Sequence, residues 1–370
     1  MRTVRGADTA ARGIRTAINT SIRLVAVASF VPAILAGCAT PERVPSGAAN
    51  GERLKSADVF RLLEACRRQH ASEVSSESLS EFVRDLTDLR RLADDQRRRR
   101  DGMRRAMNTY SQGVCLIHGT FTLKESRGGE LVPVTGADGE PLELEYFGSG
   151  FLADERGYVL TNRHVAEPWW RNESVAPLLA LGMKPGFVRL TAAFPGREPV
   201  EVDATSIRVS PDGLDLAVFV APIDGVPVLP LHEGDVRELR GQGVMLLGYP
   251  TGLKGLLARA DPELVQQALS NASDVEALVR ELSVAGALAP IATHGALNDV
   301  TSDKLLYDAV TTSGGSGGPV FGPDGDVVAV NYAVLRDFQG VNFGVPIGYA
   351  RPLLDHGGPS PVEPQRRRRK

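Results

Sequence analysis

Three cysteines, two tryptophans and six histidines in 370 residues leave little material for several kinds of chemistry. The cysteines stand at 38, 66 and 115, so the chain has no close Cys pair for a zinc site and is not a disulfide scaffold. The histidines (70, 118, 164, 232, 294, 356) are scattered, without metal-ligand spacing. No glycine loop ends in the lysine of a phosphate cradle. Neither metal nor cofactor is expected. Charge of one sign is lacking too: the formal net charge is −3, which gives no general case for a nucleic-acid partner. The longest apolar run, positions 24–37, holds a proline and is too short for a comfortable membrane helix.

That run has a different use. Arginines at 2, 5, 12, 15 and 23 precede it and Cys38 follows it directly, the proportions of an export signal. Leu35-Ala36-Gly37-Cys38 resembles the lipobox of bacterial lipoproteins. The resemblance implies a signal peptide over 1–37, an acylated Cys38 as mature N-terminus, and, with Ala39 next, sorting to the outer membrane facing the periplasm. Export would permit disulfides. Cys66 and Cys115 then either bridge a helical arm to the first strand or are two small buried residues that never meet.

Residues 38–56, rich in Pro, Gly, Ala and charge, read as a tether. Residues 57–110 read as a helical arm. Leu79, Phe82, Val83, Leu86 and Leu89 recur every three or four positions, and Ser78 with Glu81 fits a capping box. The arm packs on the following domain or serves self-association. The basic runs at 97–100 and 366–370 read as a solvated helix face and a tail, with docking to anionic lipid or polymer the alternative. From 111 to 354 short strand-like runs alternate with Gly/Pro turns, which predicts a sandwich or barrel. A helical insertion at 261–288 interrupts them, with Pro262 suited to a first turn. Residues 355–370 form a basic tail.

Gly314-Gly315-Ser316-Gly317-Gly318-Pro319 strips side chains from around one serine. An acyl-transfer serine needs such a turn, with backbone N–H groups aimed at the developing oxyanion. It also needs a base oriented by a third group. Thr161-Asn162-Arg163-His164-Val165 puts a histidine after a β-rich run, and Asp215-Leu216-Ala217-Val218 puts a carboxylate at the mouth of an apolar strand. Taken alone, each reads as an ordinary hairpin, surface or turn residue.

Together, with Asp308-Ala309, "GSGF" at 148–151 and "FGVP" at 343–346, these segments resemble the chymotrypsin-like serine proteases, most closely the Deg/HtrA branch. The chain order is His, Asp, Ser, with spacings of 51 and 101 residues. Gly314-x-Ser316-x-Gly318 also fits the elbow of α/β-hydrolases, but that fold needs its Asp and His after the serine. The sole histidine that follows is His356, in a Gly/Pro tail, with too little chain for the remaining strands and helices. The resemblance implies an all-β fold of two six-stranded barrels and a triad of His164, Asp215 and Ser316. It further implies an oxyanion hole from the N–H groups of Gly314 and Ser316, and a polypeptide substrate. Val310, six before the serine, would lie at the base of the primary pocket. Val341, Asn342, Phe343, Gly344 and Val345 would supply a wall and backbone for strand-like pairing. With no acid at the base, cleavage after small or medium apolar residues is expected.

The chain departs from the family in three places. Gly315 replaces the Asp of digestive members and the Asn frequent in the Deg branch, which loosens the oxyanion loop. The short stretch after the last strand leaves no room for a PDZ module, so none is expected. The helical insertion takes the place of a short connection and either gates the cleft or decorates the surface. A serine endopeptidase is the reading; a binding or chaperone-like module on the same fold is the alternative.

Overall fold

The computed structural model describes residues 76–136, 138–334 and 341–355. The signal segment, Cys38, the tether, Cys66 and the tail beyond Asp355 lie outside the described residues. The chain divides into two units, 1–92 and 93–370, inside helix α1 (Ser76–Asn108). Ser78 falls within this helix, not at a cap.

From Ala93 onward α1 belongs to the larger unit. The basic run is a solvated face: Arg97 pairs with Asp94, Arg98 and Arg99 with Asp95, and Arg100 with Asp101. Such exposed pairs add little stability each. The other face is fixed, since Ala106 is fully buried and Met103 packs on the core. Arg99 Nη1 also donates to Gln242 Oε1 at 2.5 Å. No helix among the described residues is long and apolar enough to cross a membrane.

The first sheet contains β1 (Val114–Arg127), β2 (Glu130–Pro133), β3 (Glu143–Leu152), β4 (Tyr158–Thr161), β5 (Lys184–Ala193), β6 (Val200–Glu201), β7 (Arg208–Val209) and β8 (Ala217–Val220). All pairings are antiparallel, in the order β6-β5-β1-β3-β4-β8-β7, with β2 on β1. Short helices α2 (Arg163–Ala166) and α3 (Ala176–Ala180) follow β4. The second sheet joins β9 (Gly243–Gly248), β10 (Ile291–Val300), β11 (Leu305–Tyr307), β12 (Pro319–Phe321), β13 (Val327–Val334) and β14 (Asn342–Pro346) into a closed barrel, β10-β11-β14-β13-β12-β9. The architecture is the mostly-β, chymotrypsin-like double barrel, with six strands closed in the second half and the first half left open.

Its largest core cluster lies where the halves meet: Val114, Leu116, Phe151 and Leu216 from the first sheet pack with Met245, Leu247, Phe321 and Val330 from the second. Burying each such side chain contributes about 1.5–3 kcal/mol.

Between β9 and β10 run α4 (Leu253–Leu257), α5 (Pro262–Asn271) and α6 (Val275–Val284). Asp261 caps α5 by accepting from the N–H groups of Glu263 and Leu264, with Pro262 in the first turn. Asp274 caps α6 through the Ala277 N–H at 2.8 Å. The insertion leaves the second barrel but is fastened to the first sheet. Ser283 Oγ lies 2.9 Å from the Phe194 carbonyl and 2.7 Å from that of Arg197, and Arg189 pairs with Glu276.

Candidate active site

β4 ends at Thr161, and Asn162, still extended, hands the chain to α2, whose second residue is His164. Asn162 Nδ2 donates to the Asp215 carbonyl at 2.8 Å, joining this strand end to the start of β8. The Asp215 carboxylate is gripped twice. The His164 backbone N–H donates to Oδ1 at 3.0 Å, and His164 Nδ1 lies 2.7 Å from Oδ2. An ionised carboxylate only accepts, so Nδ1 is the donor to it, and in the neutral ring Nε2 then keeps its lone pair. Histidine and aspartate, far apart in the chain, are thus brought together and partly shielded.

Ser316 lies on the adjoining loop, half-buried, its carbonyl accepting from the Ser149 N–H at 2.8 Å. Ser149 is a fully buried hub between the halves. Its Oγ donates to the Gly314 carbonyl at 2.7 Å and accepts from the Tyr249 N–H at 2.9 Å, while its carbonyl takes the Thr161 hydroxyl at 2.7 Å. The strand end carrying His164 and the loop carrying Ser316 share one support. Among the described residues, Ser316 Oγ and His164 Nε2 have no hydrogen-bond partner, each other included.

Residues 312–315 form a β-turn closed by the Gly315 N–H to the Thr312 carbonyl at 3.0 Å, with Gly314 at φ +91°. A positive φ in the third position makes it type II, which glycine adopts without strain. The N–H and C=O of a trans peptide point in opposite directions. The Ser313 carbonyl is taken by the Thr251 N–H at 2.6 Å, so the Gly314 N–H faces away from Thr251. The Gly315 carbonyl is taken by Asn331 Nδ2 at 2.8 Å, so the Ser316 N–H likewise faces away from Asn331. Among the described residues neither N–H meets an acceptor. Thr251 itself holds φ +62° in the turn Tyr249–Gly252, a costly conformation for a β-branched residue.

The expected pocket residues fare differently. Val310 is 68% exposed, because Ala309 and Thr311 take the inward positions on either side of it. Asn342, Gly344 and Val345 are buried. Over 342–344 the β14 backbone is paired on both sides, to β11 and β13, so it has no free edge for a substrate strand. Val341 and Phe343 are half-buried, and Phe343 stacks on Tyr332 with ring centroids 6.1 Å apart. Two supports escaped the sequence reading: Ser149, a small residue in a Gly-rich strand, and Asn331, a lone polar residue in an apolar one. Burial pushes the Tyr332 phenol up to about 12, with the carboxylates of Asp303 and Asp215 adding to the effect.

The profile described as "Trypsin-like peptidase domain" matches residues 148–330, which span His164, Asp215 and Ser316. Over these residues the chain carries a trypsin-like peptidase domain, and the curated proteins it is similar to are serine endoproteases of the Deg/HtrA branch. "Probable periplasmic serine endoprotease DegP-like" of Halomonas elongata is 27% identical over 235 residues, covering 62% of this chain and 39% of that one. The protein of the same name from Hahella chejuensis is 30% identical over 219 residues, covering 58% and 36%. Among solved structures, "Crystal structure of the serine endoprotease from Yersinia pestis" aligns at 17% identity and TM-score 0.42, covering 68% and 64%. The peptidase-domain chain spans about two fifths of the length of these curated relatives. Cys115 in β1 is free and fully buried, and burial raises its thiol pKa far above the ordinary range.

Proposed function

We propose that this chain is a serine endopeptidase that cleaves polypeptides through an acyl-enzyme. The observation that carries the reading is the 2.7 Å contact of His164 Nδ1 with Asp215, which leaves Nε2 free beside a loop whose serine hydroxyl is unpaired. Ser316 Oγ attacks the scissile carbonyl as His164 Nε2 takes its proton. Asp215 holds the ring in this tautomer and stabilises its charged form. The carbonyl oxygen, now negative, is met by the N–H groups of Gly314 and Ser316, each donor worth roughly 3–4 kcal/mol in the transition state. His164 then protonates the leaving amine, and water, activated by the same ring, hydrolyses the ester.

Substrate would add as a strand to β13 beyond Asn331, where the β12 side of Tyr332–Val334 has no paired strand among the described residues, rather than to β14. No carboxylate stands at 310, which supports cleavage after small or medium apolar residues, not after Lys or Arg. The periplasmic relatives support export. Acylation of Cys38 and an outer-membrane site facing the periplasm remain part of this proposal, as does self-association through the helical arm. A second reading, a binding or chaperone-like module with little turnover, is favoured by one observation: His164 and Ser316 are not hydrogen-bonded. Hydrolysis of unfolded casein by the wild type, abolished in Ser316→Ala, supports the peptidase. Binding without hydrolysis in both supports the second reading.

A further inference from the structure

Gly315 has no side chain with which to steady the peptide it shares with Ser316. The space a Cβ would occupy there is filled, since such an atom would lie 2.3 Å from Thr311 Oγ1. What holds this peptide comes from another strand. Asn331, 1% exposed on β13, directs its carboxamide behind the loop. Its Oδ1 accepts from the Tyr307 hydroxyl at 2.5 Å, which fixes the orientation of the amide and turns Nδ2 toward the Gly315 carbonyl, 2.8 Å away. Tyr307 is itself fully buried, and burial raises its phenol well above the ordinary value, so it stays a donor. The remaining restraint on this carbonyl is a longer bond from the Gly318 N–H at 3.2 Å. Glycines at 314, 315, 317 and 318 make rotation of the intervening peptides inexpensive.

We infer that Asn331, oriented by Tyr307, is a positioning residue: it holds the Gly315 carbonyl and so keeps the Ser316 N–H turned toward the reacting oxygen. It replaces, from a neighbouring strand, the steadying that a side chain at 315 would provide. The inference rests on the peptidase reading, because an N–H held in place matters catalytically only if an oxyanion forms there.

The experiment uses the full chain and three variants: Asn331→Ala, Asn331→Asp (nearly isosteric, unable to donate) and Tyr307→Phe. Steady-state peptide hydrolysis, thermal unfolding and inhibition by a peptidyl boronate are measured for each. Binding of the same peptide is measured in the Ser316→Ala background. Both Asn331 variants are expected to lose about 10–100-fold in kcat, less than the removal of a whole oxyanion donor. KM should stay within about threefold, and boronate affinity should fall in parallel with kcat while ground-state peptide affinity holds. Tyr307→Phe, which keeps the amide but frees it to turn, should show a smaller loss of the same kind. Unchanged kcat in a folded variant overturns the inference. So does a loss of boronate and peptide affinity by equal factors, which marks general damage. Should the Asn331 variants not fold, Tyr307→Phe decides by the same criteria. A wild type without turnover fails the peptidase reading first, before any variant is compared, and takes this inference with it.

Discussion

The hydroxyl of Ser149, carried by the first sheet, donates to the carbonyl of Gly314 on the second barrel at 2.7 Å. The same oxygen accepts the Tyr249 N–H, so one buried atom joins β3, the end of β9 and the loop that carries Ser316. Ser149→Ala leaves that N–H and that carbonyl buried and unpaired, at about 1–3 kcal/mol each. Urea unfolding should show a loss of about 2–5 kcal/mol, and peptide hydrolysis should weaken as the Gly314 turn loosens. A loss no larger than that of an ordinary surface substitution, about 0.5 kcal/mol, would contradict the role given to this hub.

Asp215→Asn keeps an acceptor for the His164 backbone N–H but presents a donor to the ring. The imidazole then carries its proton on Nε2, where it cannot serve as base. The kcat for peptide hydrolysis is expected to fall about ten-thousand-fold, with the thermal midpoint little changed. Retention of more than about a tenth of the activity would remove Asp215 from the mechanism.

Thr251 pairs two roles, a strained backbone and a carbonyl clasp on Ser313. Thr251→Gly keeps the N–H and relieves the positive φ. Strain relief of roughly 1–2 kcal/mol is partly offset by the greater unfolded-state freedom of glycine. The variant should be as stable as the wild type or up to about 1 kcal/mol more so, with activity retained. Thr251→Ala should gain less. Calorimetry compares the three directly.

His232 Nδ1 lies 2.7 Å from Asp326 Oδ2, far from the catalytic loop in sequence. This hydrogen bond raises the His232 pKa, an effect partly offset by burial. With the folded value above the unfolded one of roughly 6.5, the stabilisation is complete below that value and is lost as pH climbs through the folded pKa. His232→Gln should therefore trail the wild type in thermal midpoint most at about pH 5.5, and the gap should narrow by about pH 9. A gap that widens with pH would reverse the assignment.

Much of the fold and of the candidate site was legible because its signals are local. His164, Asp215 and Ser316 stand at strand ends and in a glycine turn, and those contexts can be read from a few neighbours. Strands β1, β3, β4 and β9 announce themselves by apolar runs that become buried faces. β10 carries no such signal: its ten residues are mostly half-buried and mix Thr, His, Gly and Asp without alternation. The edge open to a substrate strand was harder to read, for a different reason. Which edge of β13 and β14 is free depends on barrel closure, a long-range property that no local pattern encodes. Gly315 read as a source of looseness, since nothing near it in sequence supplies a brace. The brace comes from Asn331, on another strand.

A single measurement bears most directly on the central claim: labelling of the chain with a fluorophosphonate, followed by mass mapping of the adduct. The account predicts one phosphonyl group per chain, on the peptide containing Ser316, with labelling abolished in Ser316→Ala and strongly slowed in His164→Ala. A wild-type chain that remains unlabelled in the presence of peptide, or is labelled equally after Ser316→Ala, would contradict it.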